Sequence, residues 1–156
     1  MPAGASPQGE TFMKRKLLFL IMVVAVMMAF CISANALEGS GTQADPYIIK
    51  SESDFAQISN ATSAHYKLDA DLEFSSDTGA IIESEFKGVF DGNGHTVKLT
   101  INALTDQSGD TLDALFAVVS GQIKNLTVTG SVNGSNKTAG IVAKLFSNGN
   151  IDNCVN

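Results

Sequence analysis

Tryptophan is absent from this 156-residue sequence, cysteine and histidine occur twice each, and proline occurs three times. Without Trp the chain lacks the broad indole face on which sugars commonly stack, and Tyr47, Tyr66 and most phenylalanines fall where a core is expected. His65 and His95 form no H-x-x-x-H pattern and no His/Cys cluster, so zinc-type spacing is missing. Basic residues are also few, 10 against 16 acidic ones. All seven that follow residue 36 are lysines, set against fifteen acids, so that stretch carries −8 with histidine neutral. Nucleic acid and anionic membrane surfaces are therefore excluded as natural partners.

What is present begins with an export signal. Lys14-Arg15-Lys16 precedes an unbroken apolar run from Leu17 to Ile32, and Ser33-Ala34-Asn35-Ala36 follows with small residues. That order is a basic n-region, an h-region and an A-x-A cleavage site. The run is shorter than the roughly 20 residues a spanning helix needs. Residues 13–36 are accordingly expected to be a signal peptide cleaved after Ala36, making the segment the chain's one link to a membrane. Residues 1–12 read as a disordered leader or a start-site artefact ahead of Met13. Cys31 leaves with the signal, so an internal disulfide is excluded for residues 37–156. Cys154, beside Val155, reads as a small buried hydrophobe.

The remaining 120 residues suffice for one modest domain. A loop, Gly39 to Pro46, leads into a short strand at Tyr47-Ile48-Ile49. Ser51 or Ser53 can cap a helix with Glu52 and Asp54 in its first turn and Phe55 and Ile58 on one face. Beyond it the period becomes two: Val97, Leu99 and Ile101 alternate with polar residues across Thr96–Ile101. Gly88 to Gly94 reads as the turn before that strand. Further strands are expected at 66–68, 115–119, 123–128, 141–146 and 151–155.

An internal repeat ties these strands together. Gly121-Gln122-Ile123-Lys124-Asn125-Leu126 matches Gly149-Asn150-Ile151-Asp152-Asn153-Cys154 at a spacing of 28, and Gly94 to Gly121 is a looser echo. Ala114–Val118 and Ala139–Ala143 form a second pair, 25 residues apart. A period in the twenties built from short strands, glycine and asparagine fits a β-solenoid, in which each turn buries its inward face on its neighbours. Asn125 and Asn153 recur at one phase. They could stack as a ladder or simply occupy exposed turns that tolerate left-handed backbone.

Three segments together carry a family resemblance: Gly39 to Ile49 (Gly-Ser-Gly-Thr-x-x-Asp-Pro-Tyr-x-Ile), Phe86 to Thr96 (Phe-x-Gly-x-Phe-Asp-Gly-Asn-Gly-His-Thr) and Gly121 to Leu126 (Gly-x-Ile-x-Asn-Leu). In that order they resemble secreted bacterial proteins with GLUG-type repeats, although Ala114-Leu115-Phe116 and Ala139-Gly140-Ile141-Val142 only approximate the family's Gly-Leu-Phe-Gly. The resemblance implies an all-β fold, the start of a right-handed parallel β-helix similar to pectate-lyase-like folds, with a short N-terminal capping helix. It also implies a role in stalks or adhesive regions of surface proteins. Because no polar cap is visible after Val155, residues 37–156 are expected to be the front of a longer repeat domain.

Candidate chemistry is sparse. Asp91, Asn93 and His95 gather in one turn, but an acid/base pair there lacks a second partner. Asp69 and Asp71 would point the same way from a strand and could pair as glycosidase carboxylates do; alternation of solvent-facing acids with inward Leu68, Ala70 and Leu72 is the simpler account. Asp106, Asp110 and Asp113 offer oxygens for Ca²⁺ without the ligand order of an EF-hand or a glycine-rich calcium repeat, as a polar loop would. Acceptor sequons at Asn60, Asn125, Asn133 and Asn136 matter only in a eukaryotic secretory host. No catalytic residue, metal ligand or cofactor is therefore assigned. The expected function is a non-enzymatic exported or cell-surface scaffold of adhesin type, its ligand a protein or carbohydrate. The alternative is the non-catalytic N-terminal portion of a carbohydrate-active β-helix enzyme, a polysaccharide lyase or hydrolase, and a shared fold does not choose between them.

Overall fold

The computed structural model describes residues 36–103, 111–134 and 136–156. The leader, the signal segment up to Asn35 and the Asp106–Asp110 stretch lie outside the described residues. The chain divides into two units, Met1–Ala36 and Leu37–Asn156, and all the described strands lie in the second.

The regular structure of the second unit consists mostly of strands. In chain order they are β1 (Tyr47–Ile49), β2 (His65–Leu68), β3 (Leu72–Ser76), β4 (Val89–Asp91), β5 (Thr96–Ala103), β6 (Leu112–Asp113), β7 (Phe116–Val119), β8 (Gln122–Lys124), β9 (Thr127–Gly134), β10 (Lys137–Thr138), β11 (Val142–Leu145) and β12 (Asn150–Asp152). Every pairing between them is parallel. A five-stranded sheet runs β1-β2-β4-β8-β12, a three-stranded one β3-β5-β9, and two pairs join β6 to β10 and β7 to β11. Except for β1 and β2, which only helical turns separate, neighbours within a sheet are separated in sequence by strands of the other sheets.

Side-chain alternation explains the placement. Along β5, Val97, Leu99, Ile101 and Ala103 are buried while the residues between them are exposed, as the period of two requires. In the five-stranded sheet, Tyr66, Phe90 and Ile123 share one inward row by register and are all buried. The outward row at the next register position reads Lys67, Asp91, Lys124, Asp152, alternating in charge from strand to strand. Opposite charges on adjacent strands favour this pairing over a slipped register.

The one α-helix among the described residues, α1 (Glu52–Ala56), forms where the capping signal stands. Ser51 Oγ accepts the Asp54 N–H at 3.2 Å, and a 3₁₀ turn, Gln57–Asn60, continues the segment. Phe55 and Ile58 are both fully buried. Phe55 packs against Phe74, Phe90 and Phe116, with ring centroids 4.8, 5.6 and 5.6 Å away, so the helix anchors residues from three different sheets in one aromatic cluster.

Several sequence expectations need correction. Val89–Asp91 is a strand of the central sheet, not part of a turn, because Phe90 is needed in the core. The expected strand 123–128 is broken at Asn125, whose positive φ of 53° turns the chain from β8 into β9. Asp69 and Asp71 do not share a strand, since the chain bends between β2 and β3 and only Leu68 and Leu72 remain buried. The partner of Gly121 in the preceding repeat is Gly88, not Gly94, for Val89 pairs with Gln122. The spacing along the outward row is therefore uneven: His65 to Val89, Val89 to Gln122 and Gln122 to Asn150 are 24, 33 and 28 residues. In the second repeat pair the alignment shifts by one, with Asp113 opposite Thr138 but Phe116 opposite Val142.

Glycine at the start of each repeat has a steric cause. A Cβ at Gly121 would overlap the Gly88 carbonyl oxygen, and one at Gly88 would overlap that of Ala64. Adjacent passes of the chain approach too closely there for any side chain.

Candidate functional site

Most of the polar chemistry in the described residues gathers where the five-stranded sheet turns toward β5 and β9. Three asparagines hold the left-handed region at successive passes of the chain: Asn93 and Asn125 at φ 53°, and Asn153 at 50°. Asparagine suits this position because its short amide tolerates αL backbone and can hydrogen-bond locally. Asn93 donates through Nδ2 to Leu68 O at 3.2 Å, Asn125 through Nδ2 to Asp91 Oδ1 at 3.0 Å, and Asn153 through Nδ2 to Asn125 Oδ1 at 2.8 Å. The ladder and the left-handed turn, alternatives in the sequence, are both realised. Asn93 was missed because it lies 32 residues before Asn125 rather than 28.

Asp91 is the hub of this turn. Its Oδ1 also accepts the Asn93 N–H at 2.9 Å, and Oδ2 lies 3.2 Å from Lys124 Nζ on the adjacent strand. Partial burial pushes the carboxyl upward, but the Asn125 amide, the Asn93 N–H and the Lys124 ammonium outweigh it and hold it below the ordinary aspartate value. Each of these partners belongs either to the Asp91 turn itself or to the next pass of the chain. Asp91 is thus spent on stacking one pass upon another.

His95 leaves that cluster. Its Nδ1 is 3.1 Å from Asp71 Oδ1, which also accepts the Thr96 N–H at 2.9 Å. The Thr96 hydrogen bond, then the His95 ring, lower the Asp71 carboxyl. Asp71 is therefore committed to the start of β5, and Asp69, which is exposed, holds the opposite end of the bend through its N–H to Ile49 O at 2.9 Å. Neither carboxylate is arranged toward a shared reacting centre. His65 lies elsewhere, on the outward face of β2, where it lines a shallow groove of about 130 Å³ together with Gln43, Tyr66, Asp91, Gln122 and Lys124.

Of the other residues singled out in the sequence, Cys154 is half-buried and packs at the edge of the core, with its Sγ 3.2 Å from Asp152 O. Asn60 donates to Gln57 Oε1 at 2.7 Å, while Asn133 and Asn136 are exposed. Asp113 does not sit in a polar loop: it belongs to β6 and is fully buried. Among the described residues no three His, Cys, Asp or Glu side chains converge in a way that could hold a metal ion by themselves.

No protein-family model and no solved structure matches the chain. Among curated proteins it is similar to halomucin of Haloquadratum walsbyi (strain DSM 16790 / HBSQ001), 31% identical over 153 residues covering 71% of this chain. The chain spans 2% of halomucin's length.

Proposed function

We propose that residues 37–156 form a right-handed parallel β-helix and act as a non-enzymatic scaffold that is exported or displayed at the cell surface. The observation that carries this reading is the asparagine ladder lying over an all-parallel set of sheets. Side chains that could do chemistry, above all Asp91, Asn125 and Asn153, instead join one pass of the chain to the next. Repeats that stack in this way need their neighbours for stability, and they present loops at regular intervals along an extended surface. Export is supported by the basic, apolar and small-residue order of residues 14–36. The similarity to a short stretch of a very long protein is compatible with a repeat module, and the ligand would be a protein or carbohydrate met outside the cell.

Two measurements on the producing cells test the proposal. Protease treatment of intact cells, combined with mass spectrometry of the mature N-terminus, is expected to find the protein accessible and beginning at Leu37. Recovery only from the cytoplasm, with residues 13–36 retained, would contradict it. In parallel, the full chain incubated with polysaccharides is expected to release no reducing ends and no unsaturated products. Turnover abolished by Asp69→Ala or Asp71→Ala would replace the scaffold with an enzyme.

A further inference from the structure

We propose that Asp113 is the anionic floor of a calcium site. Its side chain is fully buried, and neither carboxylate oxygen has a hydrogen-bond partner among the described residues. A buried carboxylate is retained in folded proteins when it is paired, hydrogen-bonded or coordinating a metal. Among the described residues the chain around Asp113 supplies no donor to it. A Cβ at Gly134 would overlap Asp113 Oδ2, and one at Gly79, whose φ is 138°, would stand 3.6 Å from Oδ1. Glycine at both positions therefore lets backbone approach the two oxygens without bringing a side chain of its own against them.

Asp113 lies against a cavity of about 260 Å³ that Thr78, Thr111, Leu112 and Glu83 also line. Their potential ligands are hydroxyl, carbonyl and carboxylate oxygens. The Leu112 carbonyl already accepts the Ala80 N–H at 3.1 Å and retains a second lone pair. Among the described residues no imidazole or thiolate lines the space, which disfavours zinc and copper. An all-oxygen set on irregular backbone, with room for water, suits the variable coordination of Ca²⁺ better than the strict octahedron of Mg²⁺. Since only two acidic side chains contribute, the remaining ligands are neutral oxygens and water. The expected affinity is that of weak extracellular modules, with Kd on the order of 10⁻⁴–10⁻³ M. This inference does not depend on the scaffold reading, because a calcium site would stabilise an enzyme as readily.

Thermal unfolding of the full chain in EDTA, CaCl₂ and MgCl₂ at matched ionic strength tests it, with calorimetric titration of CaCl₂ giving the affinity. Calcium at about a hundred times Kd is expected to raise the Tm by roughly 5–10 °C, with a much smaller effect of magnesium. Asp113→Asn, which removes the charge and keeps the shape, should abolish that rise and unfold in EDTA no earlier than the unsubstituted chain. Glu83→Gln, at an exposed position, should fold and bind calcium several-fold more weakly. An unsubstituted chain whose Tm and titration heats ignore calcium would overturn the site, as would an undiminished calcium response in Asp113→Asn. Should Asp113→Asn fail to fold, unchanged affinity in Glu83→Gln overturns it instead.

Discussion

Replacing Asn125 separates the two contributions that the asparagine ladder makes. Asn125→Ala removes the 3.0 Å hydrogen bond to Asp91 and the 2.8 Å bond from Asn153, and it leaves a β-carbon-bearing residue at φ 53° with no compensating amide. The part-buried bond to a charged acceptor is worth about 1.5 kcal/mol, the exposed amide pair about 0.5 kcal/mol, and forcing alanine into the left-handed region costs about 1 kcal/mol. The expected loss is roughly 2–4 kcal/mol, a large fraction of the stability of a domain this size. Asn125→Gly forfeits the same hydrogen bonds but accepts positive φ freely, so it should recover about 0.5–1 kcal/mol of the alanine loss. Urea denaturation followed by circular dichroism reads both differences. Equal stabilities for the alanine and glycine variants would refute the conformational part of this reasoning, and a loss below about 0.5 kcal/mol for alanine would refute the ladder as a stabilising device.

Gly121→Ala should destabilise by about 2 kcal/mol or more, because the added methyl meets the Gly88 carbonyl and the Lys87 backbone rather than a movable side chain; Gly94→Ala, where a Cβ would meet nothing within 4 Å, is the control, limited to the strain of its φ of 81°. Unfolding midpoints of the two variants make the comparison. The Asp91 carboxyl is held below its unfolded value, so the stability it contributes is present above the unfolded pKa near 4 and is lost as pH falls through the lower folded value. Asp91→Asn should accordingly flatten the acid limb of stability against pH between about 5 and 2, and an unchanged acid limb would show that Asp91 is not held by its three donors.

Much of the architecture was legible because it rests on local pattern. Ser51, the acidic first turn and the Phe55–Ile58 spacing specified the helix, and strict alternation specified β5. The 28-residue match between Gly121–Leu126 and Gly149–Cys154 gave the register of β8 against β12. Legibility failed where tertiary demand overrode local signal. Val89–Asp91 is flanked by glycines and reads as a turn, yet Phe90 is drawn into the core beneath α1. Asn125 interrupts what looks like one apolar strand, because a single left-handed residue redirects the chain without any glycine or proline to announce it. Uneven spacing hid Asn93 from the ladder. At Asp113 the sequence shows a polar residue near others of its kind, whereas only the packing of Gly79 and Gly134 around it makes its burial visible.

Parallel stacking of one pass of the chain upon the next underlies the whole account, and through-hydrogen-bond scalar coupling in NMR spectra of the labelled full chain observes it directly. Coupling from the Asn150 N–H to the Gly121 carbonyl and from the Asn125 N–H to the Asp152 carbonyl is expected, from bonds of 2.9 and 3.1 Å. Couplings that instead join β8 to β9 as an antiparallel hairpin would contradict it.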